Sequence, residues 1–84
     1  MFKGYVYVTL KNGVLDPQGG AVMKSLKSLG YDKIEEVRVG KFIEVLLQAA
    51  SPEAALEELK AISEKLLANL VVEDYRVEVV EVSK

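Results

Sequence analysis

The chain opens on strict alternation. Across residues 4–11, Tyr5, Tyr7 and Thr9 fall on one side while Val6, Val8 and Leu10 fall on the other. A period of two in β-branched and aromatic residues predicts a strand, and Asn12-Gly13 ends it as a turn. The period then lengthens. Asp16 can accept from the orphan N–H groups of a first helical turn and Pro17 suits the first helical position. Val22, Leu26 and Leu29 follow at helical spacing, and Gly30 stops the helix as a left-handed cap. Alternation returns over 34–39, with Val37 and Val39 on one face, and over 42–48, with Ile43, Val45 and Leu47 facing one way. The short Gly40-Lys41 gap predicts that these two strands form an antiparallel hairpin. Ser51-Pro52 repeats the cap-then-proline device, Ala55, Leu59, Ile62 and Leu66 form a second helical stripe, and Asn69 closes it. Residues 71–82 read as the last strand, with Tyr75, Val77 and Val79 on one face and Arg76, Glu78 and Val80 on the other.

The order β-α-β-β-α-β predicts an α+β fold of two layers, in one domain spanning 1–84. A four-stranded antiparallel sheet carries both helices on one face, in a ferredoxin-like or closely related layout. Val6, Val8, Val37, Val39, Ile43, Val45, Val77 and Val79 would then meet the helices. The other face would show Tyr5, Tyr7, Thr9, Phe42, Glu44, Leu46, Arg76 and Val80. That face is too apolar to be left in water without a reason. Tyr5, Tyr7, Phe42, Leu46, Arg76 and Val80 are therefore the candidates for an oligomer interface.

Composition strengthens the case for subunit contacts. A domain of 84 residues buries only about 60–65% of the surface its unfolded chain exposes. With no cysteine and no histidine, disulfides, thiolate metal sites and thiol chemistry are excluded, and the commonest general base is missing. Eleven basic residues against thirteen acidic give a net charge of −2, which argues against nucleic acid as a partner. No apolar run approaches a membrane span, so the expectation is a cytoplasmic protein that touches no membrane.

The search for chemistry yields little. The serines Ser25, Ser28, Ser51, Ser63 and Ser83 sit in predicted helices, at a cap or at the tail, and no histidine exists to activate one. Glu35-Glu36 and Glu73-Asp74 lie in strands, where neighbours point to opposite faces, and Glu57-Glu58 lies on a solvated helix face. No catalytic residue, metal site or cofactor bound by this chain is expected. The stretch from Leu10 to Gly20 is unusual, because two glycines in a first helical turn each cost about 1 kcal/mol against alanine. It admits three readings: an anion site on bare N–H groups, a tight loop that another chain approaches closely, or plain capping. A base-stacking role for Tyr5, Tyr7 and Phe42 lacks a basic stripe. An acylphosphatase-like hydrolase lacks an arginine in the loop after the first strand.

Three segments taken together carry a resemblance. They are Val8-Thr9-Leu10-Lys11 through Val14-Leu15-Asp16-Pro17-Gln18-Gly19, then Val37-Arg38-Val39-Gly40-Lys41, and finally Leu66-Leu67-Ala68-Asn69 through Glu73-Asp74-Tyr75 and Val77-Glu78. In order and spacing the chain resembles the PurS family, small subunits of phosphoribosylformylglycinamidine synthase. Leu70 departs from the pattern, standing where the family usually has proline. The resemblance implies a non-catalytic assembly subunit in de novo purine biosynthesis. Such a complex uses ATP, Mg and glutamine-derived ammonia to amidate formylglycinamide ribonucleotide. The implied partners are a large synthetase subunit, a glutaminase subunit and further copies of the chain, as dimer or tetramer. The implied partner-contact residues are Asp16, Pro17, Gln18, Gly19, Gly40, Lys41, Asn69, Glu73, Asp74 and Tyr75. The alternative is a ferredoxin-like regulatory domain that binds a small molecule at a dimer interface.

Overall fold

The computed structural model describes residues 1–82; Ser83 and Lys84 lie outside the described residues. Its centre is β1 (Phe2–Leu10), in which Phe2, Gly4, Val6 and Val8 are all buried. This strand pairs antiparallel on one side with β2 (Lys41–Leu47) and on the other with β3 (Glu73–Glu81), so the sheet order is β2-β1-β3. Val6 faces Ile43 across one ladder and Val77 across the other. The alternation therefore places the apolar positions of all three strands on one face.

Here the expected four-stranded sheet is corrected. Among the described residues the sheet has three strands, and residues 34–39 pair with none of them. The reason lies at Gly40. A hairpin needs the chain to reverse there, yet no turn is present, and the positive-φ glycines are Gly13 and Gly30 instead. Gly40 lies hard against β1, where an added Cβ would collide with the Val8 carbonyl oxygen. The chain runs on from 34–39 into β2 without folding back.

Helix α2 (Pro52–Ile62) packs on β1 and β3. The Ser51 hydroxyl caps it, accepting from the Ala54 N–H at 3.1 Å, with Pro52 in the first turn. Ala55 and Leu59 are fully buried. Gly4 is glycine because a Cβ there would run into the Leu59 side chain, so the mid-strand glycine is the space that admits the helix. The helix then widens into a π-helical turn, Ser63–Leu67, closed by the Ala68 N–H donating to the Ser63 carbonyl at 2.9 Å. The wider turn breaks the predicted stripe. Leu66 is turned out and 82% exposed, while Leu67 and Ala68 join the cluster of Val6, Val8 and Leu59.

Helix α1 (Pro17–Ser28) begins and ends as its sequence predicts. Gly30, at φ +98°, closes it; its N–H donates to the Lys27 carbonyl and the Tyr31 N–H to the Leu26 carbonyl, each at 3.0 Å. The expectation that both helices cover the sheet fails. Helix α1 makes no substantial contact with the sheet or with α2, and Val22 and Leu29 of its stripe are 42% and 73% exposed. The same cause operates. Asp16 binds the Val39 N–H, so the helix is fastened to the segment that fails to fold back and is carried off with it. The inner face of β2, with Ile43, Val45 and Leu47, stays only half-buried.

Candidate interaction surfaces

The first surface is a polar junction where three distant segments meet. The Asp16 carboxylate is its hub: Oδ1 accepts from the Gly19 N–H at 2.8 Å and Oδ2 from the Val39 N–H at 2.9 Å. The Gly19 hydrogen bond, then that of Val39, lowers the carboxyl's pKa below the usual aspartate value, and the Arg38 charge adds to the effect. Gly19 is buried, and a Cβ there would strike the Val37 carbonyl oxygen, whereas Gly20 faces open space. The chain segment that approaches this loop closely is thus residues 37–39 of the same chain.

Across the junction, Lys41 Nζ donates to the Leu67 carbonyl at 3.4 Å and lies 3.7 Å from Glu73 Oε2. Glu73 Oε1 accepts from the Asn69 N–H at 2.7 Å. Asn69 ends the helix, although not through the left-handed cap predicted, since no residue other than glycine has positive φ among those described. Its Oδ1 accepts from the Val71 N–H at 3.1 Å and its carbonyl from Val72 and Glu73, which is an Asx turn. That turn delays β3 to Glu73, two residues later than predicted.

Six of the ten predicted contact residues, Asp16, Pro17, Gln18, Gly40, Lys41 and Glu73, line one open depression with Leu10 and Val39. Gly19 and Asn69 do not line it but donate their N–H groups to two residues that do, Asp16 and Glu73. Asp74 and Tyr75 are elsewhere. Asp74 is exposed opposite Thr9, and Tyr75 packs on the core with its hydroxyl donating to Glu64 Oε2 at 2.5 Å. That hydrogen bond holds the Tyr75 pKa above the ordinary phenol value. The junction's Asp16 and Lys41 are already engaged by the chain's own donors and acceptors, so the surface offers a fixed shape and polar edges.

The second surface is the open face of the sheet. The register forms three cross-strand rows: Phe42–Tyr7–Arg76, Glu44–Tyr5–Glu78 and Leu46–Lys3–Val80. All six predicted interface residues lie in these rows. Phe42 stacks on Tyr5 with ring centroids 5.7 Å apart and on Tyr7 at 5.1 Å, and the Arg76 guanidinium sits 4.2 Å over the Tyr7 ring. Phe42 nevertheless remains 54% exposed and Leu46 65%. Salt bridges Lys3–Glu44 at 3.5 Å and Arg76–Glu78 at 3.0 Å frame the aromatic strip.

Several structural residues escaped the sequence reading. Phe2 and Gly4 continue the Val6/Val8 alternation, and that continuation is the signal that could have found them. Ser63, fully buried with its hydroxyl donating to the Leu59 carbonyl at 2.8 Å, and the tie from Asp16 to Val39 left no signal in spacing.

A three-stranded antiparallel sheet with one packed helix, one outlying helix and two uncovered surfaces defines the chain as a small α+β module. Comparison with known proteins narrows the class. The family model for PurS, phosphoribosylformylglycinamidine (FGAM) synthase, matches residues 3–81. The chain is 48% identical over 82 residues to the phosphoribosylformylglycinamidine synthase subunit PurS of Bacillus subtilis (strain 168), covering 98% of this chain and 96% of that one. The crystal structure of Methanocaldococcus jannaschii PurS matches with a TM-score of 0.89 at 35% identity, covering 99% of this chain and all of that one. A chain of the PurLQS structure from Thermotoga maritima matches at 0.84 and 30% identity over 95% of this chain and 99% of that one. The chain belongs to the PurS family.

Proposed function

We propose that this chain is the small assembly subunit of a phosphoribosylformylglycinamidine synthase, bridging a large synthetase subunit and a glutaminase subunit. The observation that carries the reading is end-to-end similarity to PurS subunits, including a chain of a PurLQS structure. In this reading the complex supplies the ATP- and Mg-dependent amidation in the cytoplasm, while this chain binds no cofactor and contributes no catalytic group. Its work is positional. Ammonia released at one site must reach the other before water or protons intercept it, so a scaffold that keeps two sites in register raises the effective rate. The Asp16–Lys41–Glu73 junction is assigned to the larger subunits and the Tyr5–Phe42–Tyr7 face to further copies of the chain.

Reconstitution tests it. Glutamine-dependent product formation by a matching synthetase and glutaminase should appear only when this chain is added, and the chain alone should hydrolyse nothing. Unchanged activity without it, and no co-elution, would discard the assembly role.

A further inference from the structure

We propose that Asn12 is a site of spontaneous covalent modification, at which the Gly13 backbone nitrogen closes on the Asn12 side chain and leaves aspartate and isoaspartate in its place. The inference lies beyond the assembly reading and does not depend on it.

Asn12 and Gly13 form the exposed turn between β1 and α1. Ring closure needs an unhindered backbone nitrogen next to a side-chain amide, and a backbone free to rotate. This pair supplies all three. Gly13 sits at φ +86°, and a Cβ placed on it would meet nothing within 4 Å. Neither a side chain of its own nor a packed neighbour therefore shields its nitrogen. One hydrogen bond closes the turn, from the Val14 N–H to the Lys11 carbonyl at 3.1 Å, and it uses neither the Gly13 N–H nor the Asn12 amide. An exposed turn closed by one bond opens readily. The chain's other asparagine, Asn69, is also exposed but is held in place. Its Oδ1 accepts from the Val71 N–H, its own N–H donates to Glu73 Oε1, and its carbonyl accepts from Val72 and Glu73. The residue that follows it is Leu70, whose side chain crowds the attacking nitrogen. Exposure is common to the two asparagines, and hindrance and hydrogen bonding separate them.

The step balances with water alone. The Gly13 nitrogen gives its proton to hydroxide and attacks Asn12 Cγ. The N–Cγ bond forms, the Cγ–Nδ2 bond breaks, and the leaving nitrogen takes up a proton and departs as ammonia. Water then opens the cyclic imide. Opening at Cγ gives aspartate. Opening at the main-chain carbonyl gives isoaspartate, whose backbone runs through the side-chain carbon and is longer by one methylene. Either product adds one negative charge to the net −2. It does so in an open depression that Asn12 lines with Lys11, Asp16, Glu35, Glu36 and Arg38, where acids already outnumber bases. Isoaspartate also lengthens the chain between Lys11, whose N–H is held by the Val72 carbonyl at 2.8 Å, and Val14. The modification therefore alters the loop that delivers Asp16 to its junction.

The test is to age the full chain in mildly alkaline buffer, check by circular dichroism that it stays folded, and follow its tryptic peptides by mass. Trypsin separates the two asparagines into residues 12–24 and 66–76. The first peptide should gain about one mass unit, with fragmentation placing the gain at Asn12, and enzymatic carboxyl methylation should detect isoaspartate there. Conversion at Asn12 should outpace that at Asn69 about tenfold or more, a barrier difference of only about 1.4 kcal/mol. Asn12→Ser, at an exposed turn position, should remove the gain. Equal rates at the two asparagines, or no gain at Asn12, would overturn the proposal. So would aspartate formed without isoaspartate, since that product needs no ring. A gain that persists in the Asn12→Ser peptide would place the change at Gln18 and overturn it as well; should that variant not fold, fragmentation of the parent peptide decides between the same two positions.

Discussion

Asp16 does two jobs with one carboxylate, capping α1 through Gly19 and holding the Val39 backbone. Both bonds favour the charged form, so its pKa falls below the usual value. A depressed native pKa means that the unfolded chain binds the proton more readily. The contribution is present above the unfolded aspartate pKa and is lost as pH falls through the native value. Asp16→Asn keeps one acceptor but turns an amide toward a second N–H. We expect it to lower stability at neutral pH and to flatten the acid limb of stability against pH, read by urea denaturation across pH 3 to 7. The acid limb of the parent chain superimposing on that of the variant would dismiss Asp16 as its source. Gly40 is the other decisive residue. Gly40→Val forces a side chain toward the Val8 carbonyl and should unfold the chain at lower denaturant, whereas Gly20→Ala, in open space, should be neutral or stabilising by roughly 1 kcal/mol.

Among the elements, α2 is the one that makes this chain a folded body. Leu59 is completely buried between the helix and Gly4, so Leu59→Ala should cost about 2–5 kcal/mol. Ser51→Ala removes the N-cap acceptor and should cost about 1 kcal/mol. Equilibrium urea melts distinguish the two, and equal costs would mean that Leu59 is not the keystone its burial indicates. The sheet's open face behaves differently. Phe42→Ala loses two aromatic contacts worth about 0.5–1.5 kcal/mol each, but the ring is half in water. Its main effect should be on association, measured as a rise in the dissociation constant of self-assembly by sedimentation. A variant that associates as tightly as the parent would remove this face from the interface. Helix α1 stands at the other extreme. Its cap, proline and terminal glycine are all in place, yet it has no sheet beneath it, and a helix of twelve residues is marginal alone in water. Its hydrogen exchange should slow as protein concentration rises through the association range, and concentration-independent exchange would show that nothing covers it.

At the scale of the whole molecule, the long axis is 50 Å against a shortest extent of 15 Å, an elongated body in which α1 lies off the sheet. The strands β1, β2 and β3, both helices, their N-caps and the Gly30 stop were legible in the sequence, because each is set by residues within one or two turns: Asp16-Pro17, Ser51-Pro52, Gly30, the Val6/Val8, Ile43/Val45 and Val77/Val79 alternations. The resemblance to PurS singled out Asp16, Lys41 and Glu73 as contact candidates, but their convergence in one depression was not legible, since no local rule brings those positions together. Three further features were not legible. The π-helical turn at Ser63 changes helix spacing through one buried hydroxyl. The delayed start of β3 depends on an Asx turn at Asn69. The missing hairpin depends on whether Gly40 reverses or runs straight, and Gly40-Lys41 permits either. Local sequence settles period, caps and turns because those energies act between near neighbours. Only the tertiary structure decided that residues 34–39 run on past their own sheet, because that choice rests on the close packing of Gly40 against Val8 and the Asp16 bond to Val39, contacts between residues 23 or more positions apart.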